Sequence, residues 1–381
     1  MIWLLAAMAA AAAAYQLLVL AAALRFLSRR ETGGSDTPPV SILKPVHGLD
    51  PHFWEAIRSH AIQDYPEYEI LFGVSDPSDP AIATIERLIR EFPQVPMRLI
   101  VAGQKAPNPK VGVLIGLARL ARYPVLLVND SDIAVPPDYL RRVVAVLDEP
   151  GAGLVTCLYR GEGQGLASRF EALAIATEFA PGVLVAPLLG VSEFALGATM
   201  AFRAADLARA GGFESVADYL ADDYQLGRRI CSLGLRVVLA PVVITTYLAN
   251  KGWRQAWRHQ VRWARTVRFC RRGGYLGMPV TMATLWATAL AAAGRPLGAA
   301  ALLALRMAAG LLVARRVISL RLSAPDIALI PLRDLWGALV WAAGLVGSTV
   351  VWRDRRLRIG ADGRIKEQPA VSVEASALRR L

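Results

Sequence analysis

Four apolar stretches frame this chain and constrain what it can fold into. Met1 to Leu27 is almost wholly apolar, with Arg25 its only charge, and Tyr275 to Gly294, Leu297 to Ala314 and Ile327 to Trp352 follow in the last third. About 20 predominantly apolar residues cross a bilayer's hydrocarbon core, so membrane segments are expected at both ends. The first run is long and has no basic residue before it, unlike a secretory leader. Arg25, Arg29 and Arg30 close it, and the positive-inside rule places that end in the cytoplasm. The second C-terminal stretch carries Arg306, which either snorkels to a head group or has a partner inside the membrane. The third carries Arg333 and Asp334 near its start, so its membrane part is expected from about Leu335. Three spans after the first would leave the tail outside the cytoplasm, whereas Arg353, Arg355, Arg356 and Arg358 argue the opposite. One stretch is therefore expected to be re-entrant or interfacial, and the second is the weakest span.

The middle of the chain has a different texture. After a linker at Glu31 to Pro39, short apolar runs read as buried strands: Val40 to Leu43, Glu69 to Val74, Met97 to Ala102, Val125 to Val128, Leu154 to Cys157 and Val237 to Leu239. Helical periods at Ala81 to Glu91 and Val111 to Ala121 lie between them. Such alternation predicts an α/β domain with a mostly parallel sheet. The expected organisation is an N-terminal transmembrane helix (1–28), a catalytic-type α/β domain (38–250), a basic helix (251–273), membrane segments (275–352) and a polar tail (353–381).

The net charge is +12, which admits nucleic acid, anionic lipid or phosphorylated ligands. Its location decides. Lys251, Arg254, Arg258, Arg262, Arg265, Arg268, Arg271 and Arg272 interleave with Trp253, Trp257 and Trp263 without an acid, the composition of an amphipathic helix at a membrane interface. No nucleic-acid motif accompanies it. Cys157, Cys231 and Cys270 are far apart and form no CxxC, so neither a zinc site nor a disulfide framework is expected, and the polar part fits a reducing, cytosolic setting.

The residues that carry chemistry stand at predicted strand ends and helix starts. Asn129-Asp130-Ser131-Asp132 follows a buried strand, where Asp130 and Asp132 would hold Mg²⁺ or Mn²⁺ beside a diphosphate; a turn-capping role is the plainer reading. Asp76 follows the strand Glu69 to Val74 and would accept hydrogen bonds from a base or ribose, or cap a helix. Asp222 and Asp223 open a helix at Gln225 to Ser232; Asp223 reads as a general base, or both simply favour the helix dipole. Arg262 and Trp263 would bind and close over a diphosphate, or belong to an interfacial girdle. Lys44 and Lys110 would meet phosphate or be surface lysines. Gly197-Ala198-Thr199 would let an acceptor approach the backbone, or simply pack.

Taken together, the order and spacing of these residues resemble the family 2-type glycosyltransferases of GT-A fold, and most closely the ceramide glucosyltransferase family, glycosyltransferase family 21; bacterial hopanoid-biosynthesis glycosyltransferases are also similar. The resemblance rests on Val40-Ser41-Ile42-Leu43-Lys44-Pro45, Asp64-Tyr65-Pro66, Asp76 to Ile82, Asn108-Pro109-Lys110, Asp130-Ser131, Ala210-Gly211-Gly212-Phe213 and Asp222-Asp223-Tyr224. It implies a membrane-bound inverting enzyme that moves a hexose from a UDP-sugar, UDP-glucose being the expected donor, to a lipid hydroxyl such as ceramide's, with its catalytic domain facing the cytoplasm. The family's three essential acids map onto Asp76, Asp130 and Asp223. Its Gln/Arg-x-x-Arg-Trp motif maps onto His259, Arg262 and Trp263, with His259 a departure. The implied roles are base for Asp223; donor binding for Lys44, Asp76, Lys110, Asp130, His259, Arg262 and Trp263; metal binding for Asp130 and Asp132; and acceptor binding for Gly197, Thr199 and Asp222. The expected partners are the UDP-sugar, the lipid acceptor and the membrane, with neither nucleic acid nor an obligate protein partner. Three rivals stand beside this reading: transfer of N-acetylglucosamine from its UDP-sugar to a hopanoid polyol, a processive polysaccharide synthase, for which the spans are few, and a non-catalytic lipid-binding protein, which would not need the acids.

Overall fold

A computed structural model describes residues 2–29, 36–102, 104–250, 252–352 and 355–366. Arg30, most of the linker, Lys251, Arg353 and the tail beyond Lys366 lie outside them. One sheet of eight strands organises the middle of the chain: β1 (Val40–Pro45), β2 (Tyr68–Val74), β3 (Met97–Val101), β4 (Val125–Val128), β5 (Ile133–Ala134), β6 (Ala152–Gly163), β7 (Met200–Arg203) and β8 (Arg236–Leu248). Their spatial order is β3-β2-β1-β4-β7-β6-β8-β5. β1 to β4 are parallel where they pair, as are β6 and β8, while β7 runs antiparallel to β4 and β6. Every residue of β1, β2 and β4 is buried, which is why these strands read as continuous apolar runs rather than alternating ones. Helices Ala81–Glu91 and Pro109–Ala118 lie where the sequence periods placed them. Phe53–Ala61, Tyr139–Leu147 and β7 had no comparable signal.

The N-terminal helix Ile2–Leu27 packs along Ala283–Ala292 and Pro296–Leu312 through Ala9, Ala12, Ala283, Ala287 and Leu302. Small residues there let helices approach closely without a hydrophobic driving force. Val19, Ala22 and Ala23 join Val313, Ala314 and Val317 in the core that continues into the sheet domain. The first helix and Pro296–Val317 therefore run the same way and both end at the domain. Three helices are long and apolar enough to cross a membrane, Ile2–Leu27, Leu166–Leu189 and Pro296–Val317; Arg272–Thr281 with Ala283–Ala292, bent by 50°, makes a fourth if the pair is one span. Leu166–Leu189 leaves from β6 and returns to β7, and those strands pair at Val155 and Ala201. It therefore runs between the sheet and the membrane bundle.

The third C-terminal stretch departs from expectation. Its helix, Ile330–Gly344, has 15 residues, roughly 22 Å at 1.5 Å per residue, well short of the roughly 30 Å hydrocarbon core. It lies instead on the basic helix Trp253–Cys270, with Trp336 Nε1 donating to Gln260 Oε1 at 2.8 Å and Tyr275 OH to the Trp341 carbonyl at 2.7 Å. It is this stretch, and not Leu297 to Ala314, that falls short of a span. The chain then forms a small antiparallel sheet, β9 (Thr349–Trp352), β10 (Arg355–Ile359) and β11 (Ile365–Lys366). Ile365 N–H donates to the Asp218 carbonyl at 2.7 Å, which puts this sheet on the same side of the membrane helices as the α/β domain. Thr349–Trp352, Arg355–Ile359 and Ile365–Lys366 are thus strands, where a span end and a polar tail were expected.

Arg306 does not snorkel. Its Nε and Nη2 donate to Asp334 Oδ2 and Oδ1 at 3.0 and 2.6 Å, and Thr284 Oγ1 also donates to Asp334. The basic helix is only partly an interfacial one. Arg254 and Arg258 are exposed, but Arg265 donates to the Val346 and Thr349 carbonyls, and Arg268 to those of Leu345 and Gly347. These two arginines bind carbonyls just past the C-terminal end of Ile330–Gly344, where cations are favoured.

Candidate active site

The chemistry gathers at the carboxyl ends of β1, β2 and β4, the edge where parallel α/β sheets place ligands. β4 passes into Asn129, which is fully buried. Its Nδ2 donates to Tyr139 OH, the Ala198 carbonyl and Thr199 Oγ1 at 3.0, 2.7 and 3.1 Å, and His60 Nε2 lies 3.2 Å from its Oδ1. This network fixes the backbone from which Asp130 and Asp132 project. It also enlists Thr199, whose hydroxyl is bound to Tyr139 at 2.9 Å and is fully buried. Thr199 is thus scaffold and does not face an acceptor.

Lys44 is no surface lysine. It is fully buried and donates to the Asp130 carbonyl at 3.0 Å. Burial lowers its ammonium to about 7, with Asp132, Asp130 and Asp50 pulling the other way. Burial and then the charge of Asp130 push Asp132 up to about 6, opposed by Thr246 Oγ1, which donates to its Oδ2 at 2.6 Å.

Asn108 caps Pro109–Ala118, accepting from Val111 N–H, and so seats Lys110 at the helix start. Lys110 Nζ lies 2.7 Å from Asp130 Oδ1 and 3.7 Å from Asp222 Oδ2. Burial works against its charge, but Asp130 and Asp222 outweigh it and hold the ammonium above its ordinary value. Asp222 and Asp223 begin the helix Asp222–Ser232. Asp223 Oδ1 accepts from Tyr224 N–H at 2.7 Å and Oδ2 from Gly197 N–H at 2.9 Å. Burial, then Asp222, raise its carboxyl to about 6, with Lys110 opposing. Gly197 suits this approach: a Cβ there would stand 3.2 Å from Asp223 Oδ2 and 3.5 Å from Lys110 Nζ, so the carboxylate would have to shift slightly.

Asp76 stands at the end of β2, exposed, with Ser78 Oγ and N–H donating to its Oδ1 at 2.6 and 2.8 Å. Those bonds, the hydroxyl's first, hold it below the usual carboxylate range. The capping role weighed for this region falls to Asp79, which is buried and accepts from Gly48 and Ala81 N–H. His259 Nδ1 is engaged with Glu171 Oε1 at 2.7 Å. The Trp263 ring lies tilted against those of His259 and Phe179, and Phe179 against Tyr159, whose hydroxyl feels the charges of Asp223, Asp130 and Asp132. The basic helix therefore reaches the acids through an aromatic relay. Glu171, Tyr159, His60, Tyr139 and Asp50, whose Oδ2 accepts from Ser131 Oγ at 2.5 Å, carried no motif in the sequence.

Residues 1–365 match the model of Glycosyl transferase family 21. The chain belongs to that family. Among curated relatives, ceramide glucosyltransferase 1 of Caenorhabditis elegans is 29% identical over 206 residues, 53% of this chain and 44% of the nematode protein. The ceramide glucosyltransferase of Komagataella phaffii is 34% identical over 114 residues, 29% of this chain and 22% of that one. These matches thus span less than half of each relative's length. A Pyrobaculum calidifontis mannosyltransferase, solved with GDP-Man and Mn²⁺, superposes with a TM-score of 0.52 at 19% identity, covering 89% of this chain and 97% of that one. That likeness carries the glycosyltransferase fold. In this family 21 chain no group of three or more His, Cys, Asp or Glu forms a complete metal site among the described residues. Asp130 and Asp132 nevertheless suit a divalent cation: they are hard oxygen donors with one residue between them, and their mutual repulsion is what a cation relieves.

The charges around Asp223 give opposite pH shifts. Lys110→Met removes the cation that lowers the Asp223 carboxyl, so the acid limb of the activity profile should move above about pH 6. Asp222→Asn removes the anion that raises it, so that limb should move below about pH 6. Shifts of the same sign in kcat against pH would contradict this arrangement.

Proposed function

We propose that this chain transfers a hexose, glucose from UDP-glucose being the reading favoured, to the hydroxyl of a membrane lipid such as ceramide, with inversion at the anomeric carbon and with the domain on the cytoplasmic face. The observation that carries it is the environment of Asp223: a carboxylate held by two backbone N–H groups and raised to about 6, suited to take a proton near neutral pH. In this reading Asp223 accepts the acceptor hydroxyl's proton, and the alkoxide oxygen attacks the anomeric carbon from the face opposite the diphosphate. Lys110 holds positive charge along the acids, with Lys44 buried beside Asp130, Asp76 receives the nucleoside's donors, and Arg262 and Trp263 close the site from the basic helix. Asp130 and Asp132 would hold a divalent cation, whose chemistry is to stabilise the charge of the departing nucleoside diphosphate.

The test is transfer by the purified full chain from a panel of UDP-sugars to ceramide, a hopanoid polyol and a sterol. Ceramide glucosylation is the expected product, and N-acetylglucosamine on the hopanoid would replace it as the assignment. Excess chelator should abolish transfer and Mn²⁺ or Mg²⁺ restore it; full activity in chelator removes the cation from the proposal.

A further inference from the structure

On the face of the sheet turned away from the acids, a cleft of about 650 Å³ opens between the β6–β8 edge and the ends of two apolar helices. Side chains alternate across a strand. Tyr159 and Thr246 face the acids, and their neighbours Arg160, Thr245 and Tyr247 line the cleft. Its base is formed where the helices finish: Phe26 and Leu27 at the end of the first and Arg29 just past it, Arg316 and Val317 at the end of Pro296–Val317 and Ser319 just past it. Four guanidinium groups line it, those of Arg29, Arg142, Arg160 and Arg316, against the carboxylates of Glu55 and Glu162. Arg29 is held in place by Glu149 at 2.5 Å and the Leu239 carbonyl at 2.7 Å, and Arg160 by Glu162 at 3.0 Å. Arg316 is exposed and has no hydrogen-bond or ion-pair partner among the described residues.

We propose that this cleft binds the phosphate head group of an anionic glycerophospholipid from the leaflet on the catalytic domain's side. Guanidinium forks match phosphate oxygens in charge and geometry. Arg29, Arg142 and Arg160 each have an acid beside them, Glu149, Asp138 and Glu162, so the charge left unpaired is that of Arg316, at the level where the membrane helices end. Phe26 and Leu27 beside the arginines give acyl chains an apolar path, for which a soluble phosphate has no use. The sheet separates the cleft from Asp130, Asp132 and Asp223, so this lipid is not the acceptor, and the site stands independently of the transfer reaction.

The test is native mass spectrometry of the full chain released from phosphatidylcholine nanodiscs with and without phosphatidylglycerol. Wild-type protein should retain one phosphatidylglycerol in preference to phosphatidylcholine. Arg160→Gln with Arg316→Gln should weaken retention by about thirtyfold, two charges each acting at the strength basic residues show near an anionic surface. Arg316→Lys should keep most of it, and Arg254→Gln with Arg258→Gln on the basic helix should leave it unchanged. Arg316→Gln alone, at an exposed position, serves if the double variant does not fold. Unchanged retention in the Arg316 variants, equal retention of phosphatidylcholine, or displacement of the lipid by inorganic phosphate would each overturn the proposal.

Discussion

Asp223→Asn should lower turnover by about 10²- to 10⁴-fold, the usual worth of a general base, while donor affinity stays near that of the wild type. The amide keeps the side chain's size and can still accept from Gly197 N–H or Tyr224 N–H, so the fold has little reason to change. What it loses is the ability to take a proton. Asp76→Asn offers the contrast. Asp76 follows β2, outside the group formed by Lys110, Asp222 and Asp223, and its loss should raise donor KM more than it lowers kcat. Measuring kcat and donor affinity for both variants separates the roles. Normal turnover by Asp223→Asn would remove it as the base.

The second large effect concerns stability. Asp334→Ala should cost about 3–5 kcal/mol, because it strands the Arg306 charge in a buried place. Arg306 and Asp334 are 4% and 7% exposed. Replacing both by leucine should recover most of the loss, since a buried ion pair contributes little beyond what apolar packing gives. Thermal unfolding of the two variants in nanodiscs distinguishes the cases. If Asp334→Ala is as stable as the wild type, the pair does not carry the charge of Arg306 in the membrane bundle.

The parallel strands were legible because burial on both faces makes them unbroken apolar runs. Val125 to Val128 appears as read, and the acids at its end follow from strand polarity alone. The acids were legible as a set only through their order along the chain, since each alone is also a cap or a dipole partner. What could not be read is who stands beside whom. Lys44 looked like any lysine near a strand end, and only the folded sheet buries it under Asp130. Thr199 looked like part of an open Gly-Ala-Thr loop, and its bonds to Tyr139 and Asn129 depend on residues 60 and 70 positions away. Arg265 and Arg268 looked interfacial because their partners are backbone carbonyls some 80 residues downstream, which no side-chain pattern reveals. Whether the third C-terminal stretch spans was misread from composition because apolarity does not report helix length, which the strand at Thr349 cuts short.

The position of Leu166–Leu189 between β6 and β7 bears on how the protein is made. The segment is synthesised before β7, so it emerges with the apolarity of a span while the strand that will bring the chain back to the sheet does not yet exist. During that interval insertion into the bilayer and docking onto the growing sheet compete for the same residues. In the folded chain the pairing of Val155 with Ala201 holds the return strand on the sheet. A β7 that pairs poorly should therefore yield chains threaded through the membrane one time too many, with everything after residue 190 delivered to the wrong compartment.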